Sequence, residues 1–294
     1  MTNTYKGKTA IISGAASGIG LALSREFGGL GMNIVMADIE QDALETAAQT
    51  LKSEGLSVLP CALDVTSYAQ WETTVEKALA TFGKLHMVVN NAGVGGIPAP
   101  IEETNTDTWR WVVDVNLMGV VYGTQAATPA IKASNEGGWI INVASMAGMG
   151  GVPYSAAYAA TKAAVVSMTE SWAQELYKHN IHVSALCPAF VKTRIHESLR
   201  TQQSQYKTQA LKGNPENLKK GFGKAAALVE SGIPAELLAK RVVEALESKQ
   251  TYIFTHPNYR SSVAGRGKAL DAAFEDAQNS ELVKHLINEE ITSL

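Results

Sequence analysis

Residues 9–20 read TAIISGAASGIG, and this stretch decides the fold. A short apolar strand runs into a turn with glycines at positions 14, 18 and 20, and a helical pattern follows at once. Glycine permits the tight turn and lets a phosphate approach the backbone, while the helix N-terminus offers N–H groups and positive dipole charge. Glycine clusters also serve ordinary turns, so the neighbouring sequence has to decide between the two interpretations.

The next apolar run, residues 33–37, ends at Asp38, which lies 24 residues after Gly14. An acidic residue about 20 positions beyond such a turn accepts a hydrogen bond from an adenosine ribose 2′-hydroxyl. Glu40 is close by, and no Arg or Lys stands at positions 15–17, 39 or 41, so a 2′-phosphate would meet repulsion. The sequence therefore favours NAD as cofactor, with NADP less expected. Asp38 also has the alternative, compatible role of a helix N-cap before Ala43.

Strands and helices alternate through the first two-thirds of the chain. After the first strand we predict strands over residues 33–37, 58–63, 85–89, 139–143 and 181–186, and helices over residues 21–30, 41–55, 69–82, 106–133 and 154–179. The strands are continuous apolar runs, as expected of parallel strands buried on both faces. The pattern predicts the α/β class with a Rossmann-like doubly wound parallel sheet.

The pattern changes after Pro188. Residues 192–232 are predicted to form an extended segment that covers the substrate, either as a mobile lid or as a helical insertion. A helix over residues 234–248 and a last strand over residues 251–255 follow, and residues 263–294 form a helical tail whose apolar stripe packs on its own domain or on a neighbouring subunit. Because we find no repeat and no linker, we predict a single domain over residues 1–294.

Composition excludes several classes of protein. The chain has 25 Lys and Arg against 28 Asp and Glu, a net charge of −3, with no basic stripe, so we expect no nucleic-acid partner. No apolar run reaches the ~18 residues of a membrane span, and the N-terminal residues lack the apolar core of a signal peptide. We therefore expect a cytoplasmic protein without a membrane partner. Cys61 and Cys187 fit no metal motif, so we expect no metal.

Tyr158 and Lys162 are four residues apart on a predicted helix and therefore share one face. A free tyrosine, with a pKa of about 10, is a poor base at neutral pH. A nearby ammonium group favours the phenolate. The pair is therefore a candidate acid–base centre, although a Tyr and a Lys at this spacing also occur together by chance.

A set of motifs, in the right order, resembles the short-chain dehydrogenase/reductase family. The matching residues are SGAASGIG at 13–20 for the family's TGxxxGxG, Asp64-Val65 for its adenine contact, NNAG at 90–93, Asn116, Ser145 and YAATK at 158–162 for its YxxxK. The resemblance runs from about Lys8 to Thr193. Ala189 departs from the pattern, because the family usually carries Pro-Gly where this chain has Pro188-Ala189.

This resemblance implies hydride transfer between a nicotinamide cofactor and a secondary alcohol or ketone. Tyr158 would be the general acid or base, Lys162 would lower its pKa and bind the nicotinamide ribose, Ser145 would donate to the substrate oxygen, and Asn116 would hold a water beside Lys162. The implied cofactor contacts are Gly14, Ser17, Gly18, Ile19, Gly20, Asp38, Asp64, Val65, Asn91, Ala92, Gly93, Tyr158, Lys162, Pro188, Val191 and Thr193.

The substrate and the assembly are predicted less directly. Met146, Met149, Val152 and Tyr154 next to the catalytic residues indicate a roomy apolar pocket for a bulky alcohol or ketone, aryl or polycyclic. Members of the family assemble through close helix packing, so the alanine-rich stretch 154–179 predicts a homodimer or homotetramer. Two alternatives stay open: a catalytically silent NAD(H)-binding sensor or scaffold, and an epimerase or dehydratase, whose usual GxxGxxG turn this chain lacks.

Overall fold

The computed structural model of the chain describes residues 4–207 and 215–290. Contacts separate the chain into two compact units, Met1–Thr255 and His256–Leu294. The first unit holds the sheet and all of the predicted site residues. The prediction of one domain over residues 1–294 stays a prediction.

The described residues of the first unit form a seven-stranded sheet in the order β3-β2-β1-β4-β5-β6-β7, with every pairing parallel. The strands are β1 (Thr9–Ser13), β2 (Asn33–Asp38), β3 (Val58–Ala62), β4 (Met87–Asn90), β5 (Gly138–Val143), β6 (Ile181–Cys187) and β7 (Tyr252–Phe254). The order reverses between β1 and β4, which makes their carboxyl ends the switch point where ligands bind in such sheets. The predicted Rossmann-like fold is confirmed.

Helices of the first unit flank this sheet. Their bounds are α1 (Gly18–Gly29), α2 (Gln41–Ser53), α3 (Tyr68–Phe82), α4 (Thr106–Val113), α5 (Gly119–Ala133), α6 (Ala156–Leu176), α7 (Pro215–Glu230) and α8 (Ala235–Glu247). The second unit contains α9 (Arg260–Asn279). The helix predicted over residues 106–133 is interrupted by a π-helical turn, Asp114–Met118. The helix predicted from residue 154 begins only at Ala156, because Tyr154 has a left-handed φ of 65°.

Successive strand residues supply opposite faces of the sheet, as the two-residue strand period requires. Ile12 in β1 packs into the core cluster that includes Phe27 and Leu238, whereas the adjacent Ile11 packs into the cluster that includes Trp71 and Trp111 on the other face. All six side chains are fully buried. Burial of each such side chain stabilises the fold by roughly 1.5–3 kcal/mol, so the two layers hold the ends of the strands in fixed positions.

The segment after β6 begins with 3₁₀ turns, Ile195–Thr201 and Ser204–Tyr206, and continues as α7. Part of the predicted 192–232 segment, residues 208–214, lies outside the described residues. In the second unit, α9 has no buried residue and exposes Phe274. The predicted tail helix ends at Asn279, and a 3₁₀ turn follows at Lys284–Asn288.

Two further findings concern residues 4–207 and 215–290. None of the helices there is both long and apolar enough to cross a membrane. No group of three or more His, Cys, Asp or Glu side chains in these ranges is placed to hold a metal ion. Cys61 and Cys187 are free and buried, as expected of inert thiols.

Candidate active site

The glycine-rich turn between β1 and α1 leaves no room for larger residues. Gly14 and Gly18 have φ values of 67° and 54°, in the left-handed region that favours glycine. A Cβ at Gly20 would collide with the carbonyl oxygen of Gly14. Asn91, just beyond β4, donates from Nδ2 to the carbonyl oxygens of Ser13 and Gly14, at 2.8 and 3.2 Å. The neighbouring strand therefore braces the turn.

The turn fits the diphosphate of a dinucleotide. Ser17 is the N-cap residue of α1 but makes no side-chain cap hydrogen bond, and the first turn of the helix has no acidic residue. The N–H groups at this end are left for an anion, which the helix dipole also favours. Ile19 packs against the core. Thr193 closes the far side, because a Cβ at Gly18 would lie 3.0 Å from Thr193 Cγ2. These residues would hold the diphosphate of a nicotinamide dinucleotide.

Asp38 ties the end of β2 to the glycine-rich turn. Its Oδ2 accepts from the Ala16 N–H at 2.9 Å, and its Oδ1 accepts from the Glu40 N–H at 3.0 Å. Burial raises the pKa of Asp38, and the hydrogen bonds from the Glu40 and Ala16 N–H groups oppose this rise. The N-cap residue of α2 is Glu40. The alternative role of Asp38 as a helix N-cap is therefore wrong.

A cation lies beside Glu40 that no sequence pattern predicts. Arg200, from the segment after β6, donates from Nε to both carboxylate oxygens of Glu40, at 3.0 and 3.1 Å, and from Nη2 to Oε2 at 2.7 Å. Such forked pairs are the strong form of charged hydrogen bond. The two residues lie 160 positions apart, so no local pattern could have joined them. In this pair the negative charge of Glu40 is offset by Arg200, and the guanidinium group of Arg200 is bound to Glu40.

Asp64 lies just beyond β3. Its Oδ1 accepts from the backbone N–H and the hydroxyl of Thr66, at 3.0 and 2.8 Å. Gln203 donates from Nε2 to both carboxylate oxygens of Asp64, at 3.0 Å each. Val65 is buried, and its carbonyl oxygen accepts from Trp71 Nε1 at 3.2 Å. The predicted adenine contact therefore lies under a side chain of the segment after β6.

The predicted catalytic side chains come together where β5 meets α6. Ser145 follows β5, and its Oγ accepts from the Ala147 N–H at 3.1 Å. Tyr158 and Lys162 lie one turn apart in α6. Lys162 Nζ donates to the carbonyl oxygen of Val143 at 2.7 Å and lies 5.6 Å from the centroid of the Tyr158 ring. Ser145, Tyr158 and Lys162, which are separated in the sequence, therefore form one cluster in the structure.

Burial dominates the proton affinities of this cluster. It raises the pKa of Tyr158, while the hydrogen bond with Ser145 lowers it. Burial also lowers the pKa of Lys162 to about 8. The expected lowering of the Tyr158 pKa by Lys162 is not found, because desolvation of the phenolate outweighs an ammonium group that is itself desolvated. A lowered Tyr158 pKa in the presence of a bound nicotinium charge stays a prediction.

Asn116 lies fully buried in the π-helical turn and holds the loop after β4. Its Oδ1 accepts from the Val94 N–H at 2.8 Å, and its Nδ2 donates to the Val94 carbonyl oxygen at 2.9 Å. Gly93 lies close to both Asn116 and Lys162, since a Cβ there would lie 3.3 Å from Asn116 Oδ1 and 3.5 Å from Lys162 Nζ. Asn116 therefore acts on the site by positioning this loop, and the water predicted beside Lys162 stays a prediction.

Two sets of hydrogen bonds hold the remaining predicted cofactor-binding residues in place. Ser13 Oγ accepts from the Asn91 and Ala92 N–H groups at 3.0 and 3.1 Å. The carbonyl oxygen of Pro188 accepts from the Met146 N–H at 2.8 Å, so the loop after β6 is fastened to the loop after β5. Val191 is buried there. The departure at Ala189 is harmless, because its φ lies outside the left-handed region.

A cavity of about 370 Å³ opens beside Tyr158. It is lined by residues of the loop 95–105, by Thr108, Trp109 and Val112 of α4, and by residues 154–158. Of the four residues predicted to line the pocket, Tyr154 does so. Val152 is exposed and does not line this cavity, and Met146 and Met149 pack against a core cluster instead. Sequence reasoning missed the α4 residues, because their helical spacing is that of any buried helix face.

Comparison with known proteins gives a family match, two similar relatives and one similar solved structure. The chain matches the family described as short chain dehydrogenase over residues 8–204. It is 33% identical to a CLA biosynthesis dehydrogenase/reductase of Lactiplantibacillus plantarum, over 90% of this chain and 94% of that protein. It is 34% identical to the 3beta-hydroxysteroid dehydrogenase 2 of Eggerthella lenta, over 79% of this chain and 85% of that protein. A solved short chain dehydrogenase/reductase from Burkholderia phymatum, in complex with NAD, has a TM-score of 0.88 and 34% identity, covering 93% of this chain and 97% of that one.

The parallel sheet, the glycine-rich turn at its switch point and the Ser145–Tyr158–Lys162 cluster define a nicotinamide-dependent oxidoreductase. The chain belongs to the short-chain dehydrogenase/reductase family. Its reaction is hydride transfer between an alcohol or carbonyl group and a nicotinamide cofactor, as the resemblance implied.

Proposed function

We propose that the chain interconverts a bulky, hydrophobic secondary alcohol, aryl or polycyclic, and its ketone, with NAD(H) as cofactor. The observation that carries the proposal is the position of Tyr158, which lies in one cluster with Ser145 and Lys162 and lines a cavity of about 370 Å³. Trp109 and Val112 give this cavity apolar walls, which suit a large apolar substrate. The name of the steroid dehydrogenase among its relatives supports a polycyclic substrate.

The proposed chemistry assigns one step to each side chain. When bound, the nicotinamide accepts or donates a hydride at the carbinol carbon. In oxidation, the phenolate of Tyr158 accepts the hydroxyl proton of the alcohol, and in reduction the phenol returns a proton to the carbonyl oxygen. Ser145 donates a hydrogen bond to that oxygen and keeps it next to Tyr158. Lys162 stabilises the phenolate through its positive charge and binds the nicotinamide ribose.

The preference for NAD over NADP is part of the same proposal. Asp38 is the carboxylate predicted to bind the adenosine ribose, and Glu40 follows two positions later. Arg200 is already bound by both oxygens of Glu40, and Arg194, whose charge also acts on Glu40, is paired with Glu197. A 2′-phosphate would therefore face negative charge without a free cation to offset it.

We also propose a homodimer or homotetramer. The side of α6 that faces away from its own core carries the small residues Ala156, Ala160 and Ala163, all exposed, which would allow close packing against a second copy. Light scattering on the purified protein tests this, and an Ala160→Glu variant should shift the mass toward the monomer. Localisation in the cytoplasm stays a prediction.

The test of function is a set of initial rates followed through nicotinamide absorbance. NAD(H) and NADP(H) are each combined with small, aryl and polycyclic alcohols and ketones. Faster turnover of aryl or polycyclic substrates than of small polyols, with NAD(H), is the expected result. Preferential turnover of small polyols would refute the apolar pocket. Tight NADH binding with no turnover of any substrate would favour the silent sensor, and product formation without net cofactor change would favour an epimerase.

A further inference from the structure

The 3₁₀ segment after β6 contacts acidic residues from three different parts of the fold. We call residues 195–206 the strap. Arg200 binds Glu40 after β2, Gln203 binds Asp64 after β3, and Tyr206 Oη donates to Asp114 Oδ2 at 2.7 Å. Since ligands of such sheets bind outside the carboxyl ends of the strands, the strap runs along the edge where the adenosine half of a dinucleotide would bind.

Gln203 carries an unused acceptor at this edge. Its Nε2 donates to both oxygens of Asp64, while its Oε1 is buried and accepts no hydrogen bond from the described residues. Exchange of the amide nitrogen and oxygen would not remove the problem, because the carbonyl oxygen would then face two carboxylate oxygens. A buried acceptor without a donor costs free energy, so an unexplained one indicates a missing partner.

The two carboxylate oxygens of Asp64 accept different numbers of hydrogen bonds. Oδ1 accepts from the Thr66 N–H, from the Thr66 hydroxyl and from Gln203. Oδ2 accepts from Gln203 alone among the described contacts. Because a carboxylate oxygen accepts about two hydrogen bonds, Oδ2 can accept one more beyond the described contacts, and the side chain that binds it, Gln203, carries the unused Oε1.

We propose that Gln203 is an adenine-reading residue, which together with Asp64 accepts the two hydrogens of the exocyclic 6-amino group of the cofactor. One N–H would be donated to Asp64 Oδ2 and the other to Gln203 Oε1. The inference rests on the proposed dinucleotide function and adds a base contact from the strap. A purine that carries an oxygen at this position, such as hypoxanthine, would place an acceptor against two acceptors and bind poorly.

The experiment compares the dissociation constants of NADH and of its reduced hypoxanthine analogue, measured on the full chain by nicotinamide fluorescence. Gln203→Met keeps the length of the side chain and removes its polar atoms. We expect this variant to lose about tenfold of the preference for NADH over the analogue, the value of one hydrogen bond. Gln203→Asn, which is too short to reach both partners, should lose the preference in the same direction.

Arg200→Met is the matched control. It removes another contact of the strap and introduces the same side chain, so it should weaken both ligands to the same extent and leave their ratio unchanged. A wild-type ratio in both Gln203 variants would overturn the proposal and leave Gln203 as a structural tether. Failure of the wild-type chain to bind NADH at all would instead refute the proposed function. Thermal unfolding of each variant verifies that it is folded.

Discussion

Arg200 Nη2 lies 2.7 Å from Glu40 Oε2 and joins the strap to the loop that follows β2. Each side chain is only 26% exposed, so the pair is partly shielded from solvent. Neither residue belongs to the motifs of the family, yet the pair adjoins Asp38, the carboxylate expected to bind the adenosine ribose. The ion pair is therefore placed to influence which cofactor the chain accepts.

Removal of the Glu40 charge should make the chain more tolerant of NADP. In Glu40→Gln, the guanidinium group of Arg200 loses its partner, and a 2′-phosphate gains a cation with forked geometry. We expect the affinity for NADPH to rise about tenfold, with a smaller change for NADH. Fluorescence titration measures both. Glu54→Gln, which breaks the Arg25–Glu54 pair elsewhere on the surface, should change neither affinity.

If the gain depends on Arg200, the double variant Glu40→Gln/Arg200→Gln should lose it. An unchanged NADPH affinity in the single variant would show that Asp38 alone determines the choice of cofactor.

Removal of the Tyr158 hydroxyl should abolish the proton transfer and spare the binding of cofactor. General acid–base catalysis contributes about 10²–10⁴-fold, so kcat of Tyr158→Phe should fall by that order. The dissociation constant of NADH should change little, because the ring remains. Tyr177→Phe is the control, since this exposed tyrosine follows α6 on the surface. A Tyr158→Phe variant with wild-type kcat would remove Tyr158 from the mechanism.

Asn116→Asp should destabilise the loop after β4. The substitution replaces the Nδ2 donor with a carboxylate oxygen that faces the carbonyl oxygen of Val94. Loss of this buried hydrogen bond should lower the free energy of unfolding by about 1–3 kcal/mol, measured by urea denaturation. Asn105→Asp is a matched control, because the side-chain hydrogen bond of Asn105 among the described residues is one that it accepts, from the Asp107 N–H, and an aspartate accepts equally well. Equal stability of the two variants would contradict the positioning role of Asn116.

His86 should make the fold less stable in mild acid. Its Nδ1 accepts from the Thr9 N–H at 3.0 Å and its Nε2 lies 3.2 Å from Glu136 Oε2. Burial, followed by the charge of Lys8, lowers the pKa of His86. The unfolded chain, with a histidine pKa of about 6.5, therefore binds more protons, and the free energy of unfolding falls as the pH drops below that value toward the lower pKa of folded His86.

Denaturation at a series of pH values between about 7.5 and 5 measures the slope of the free energy of unfolding against pH. This range lies above the one in which Glu136 titrates, because Lys84 and Lys8 lower the pKa of Glu136 to about 2. His86→Gln should flatten the slope, whereas His285→Gln, at an exposed histidine, should leave it as in the wild type. The same slope in all three proteins would exclude His86 as its source.

Much of the fold follows from local sequence. The apolar runs that become β1, β2 and β5 are uninterrupted and bounded by turns, and each strand lies within one residue of its prediction. The bounds of the helices were predicted less accurately than those of the strands. Tyr154 lies outside α6 because its left-handed φ stops the helix, and the turn Asp114–Met118 changes its hydrogen-bond register without a change in the apolar pattern. Side-chain periodicity reports which face is buried, and it carries little information about such changes in the backbone.

The sequence by itself determined the Rossmann-like sheet, the glycine-rich turn and the Tyr158–Lys162 pair, because the alternation of strands and helices, the glycine positions and helical spacing are read from residues close together in the chain. Only the tertiary structure decided that Arg200 binds Glu40, that Gln203 binds Asp64 and that Asn116 holds Val94. The first two pairs join residues 160 and 139 positions apart. Hydrogen bonds of this kind depend on where two loops meet in space, and the sequence pattern of one loop does not indicate which residue of the other loop it will contact.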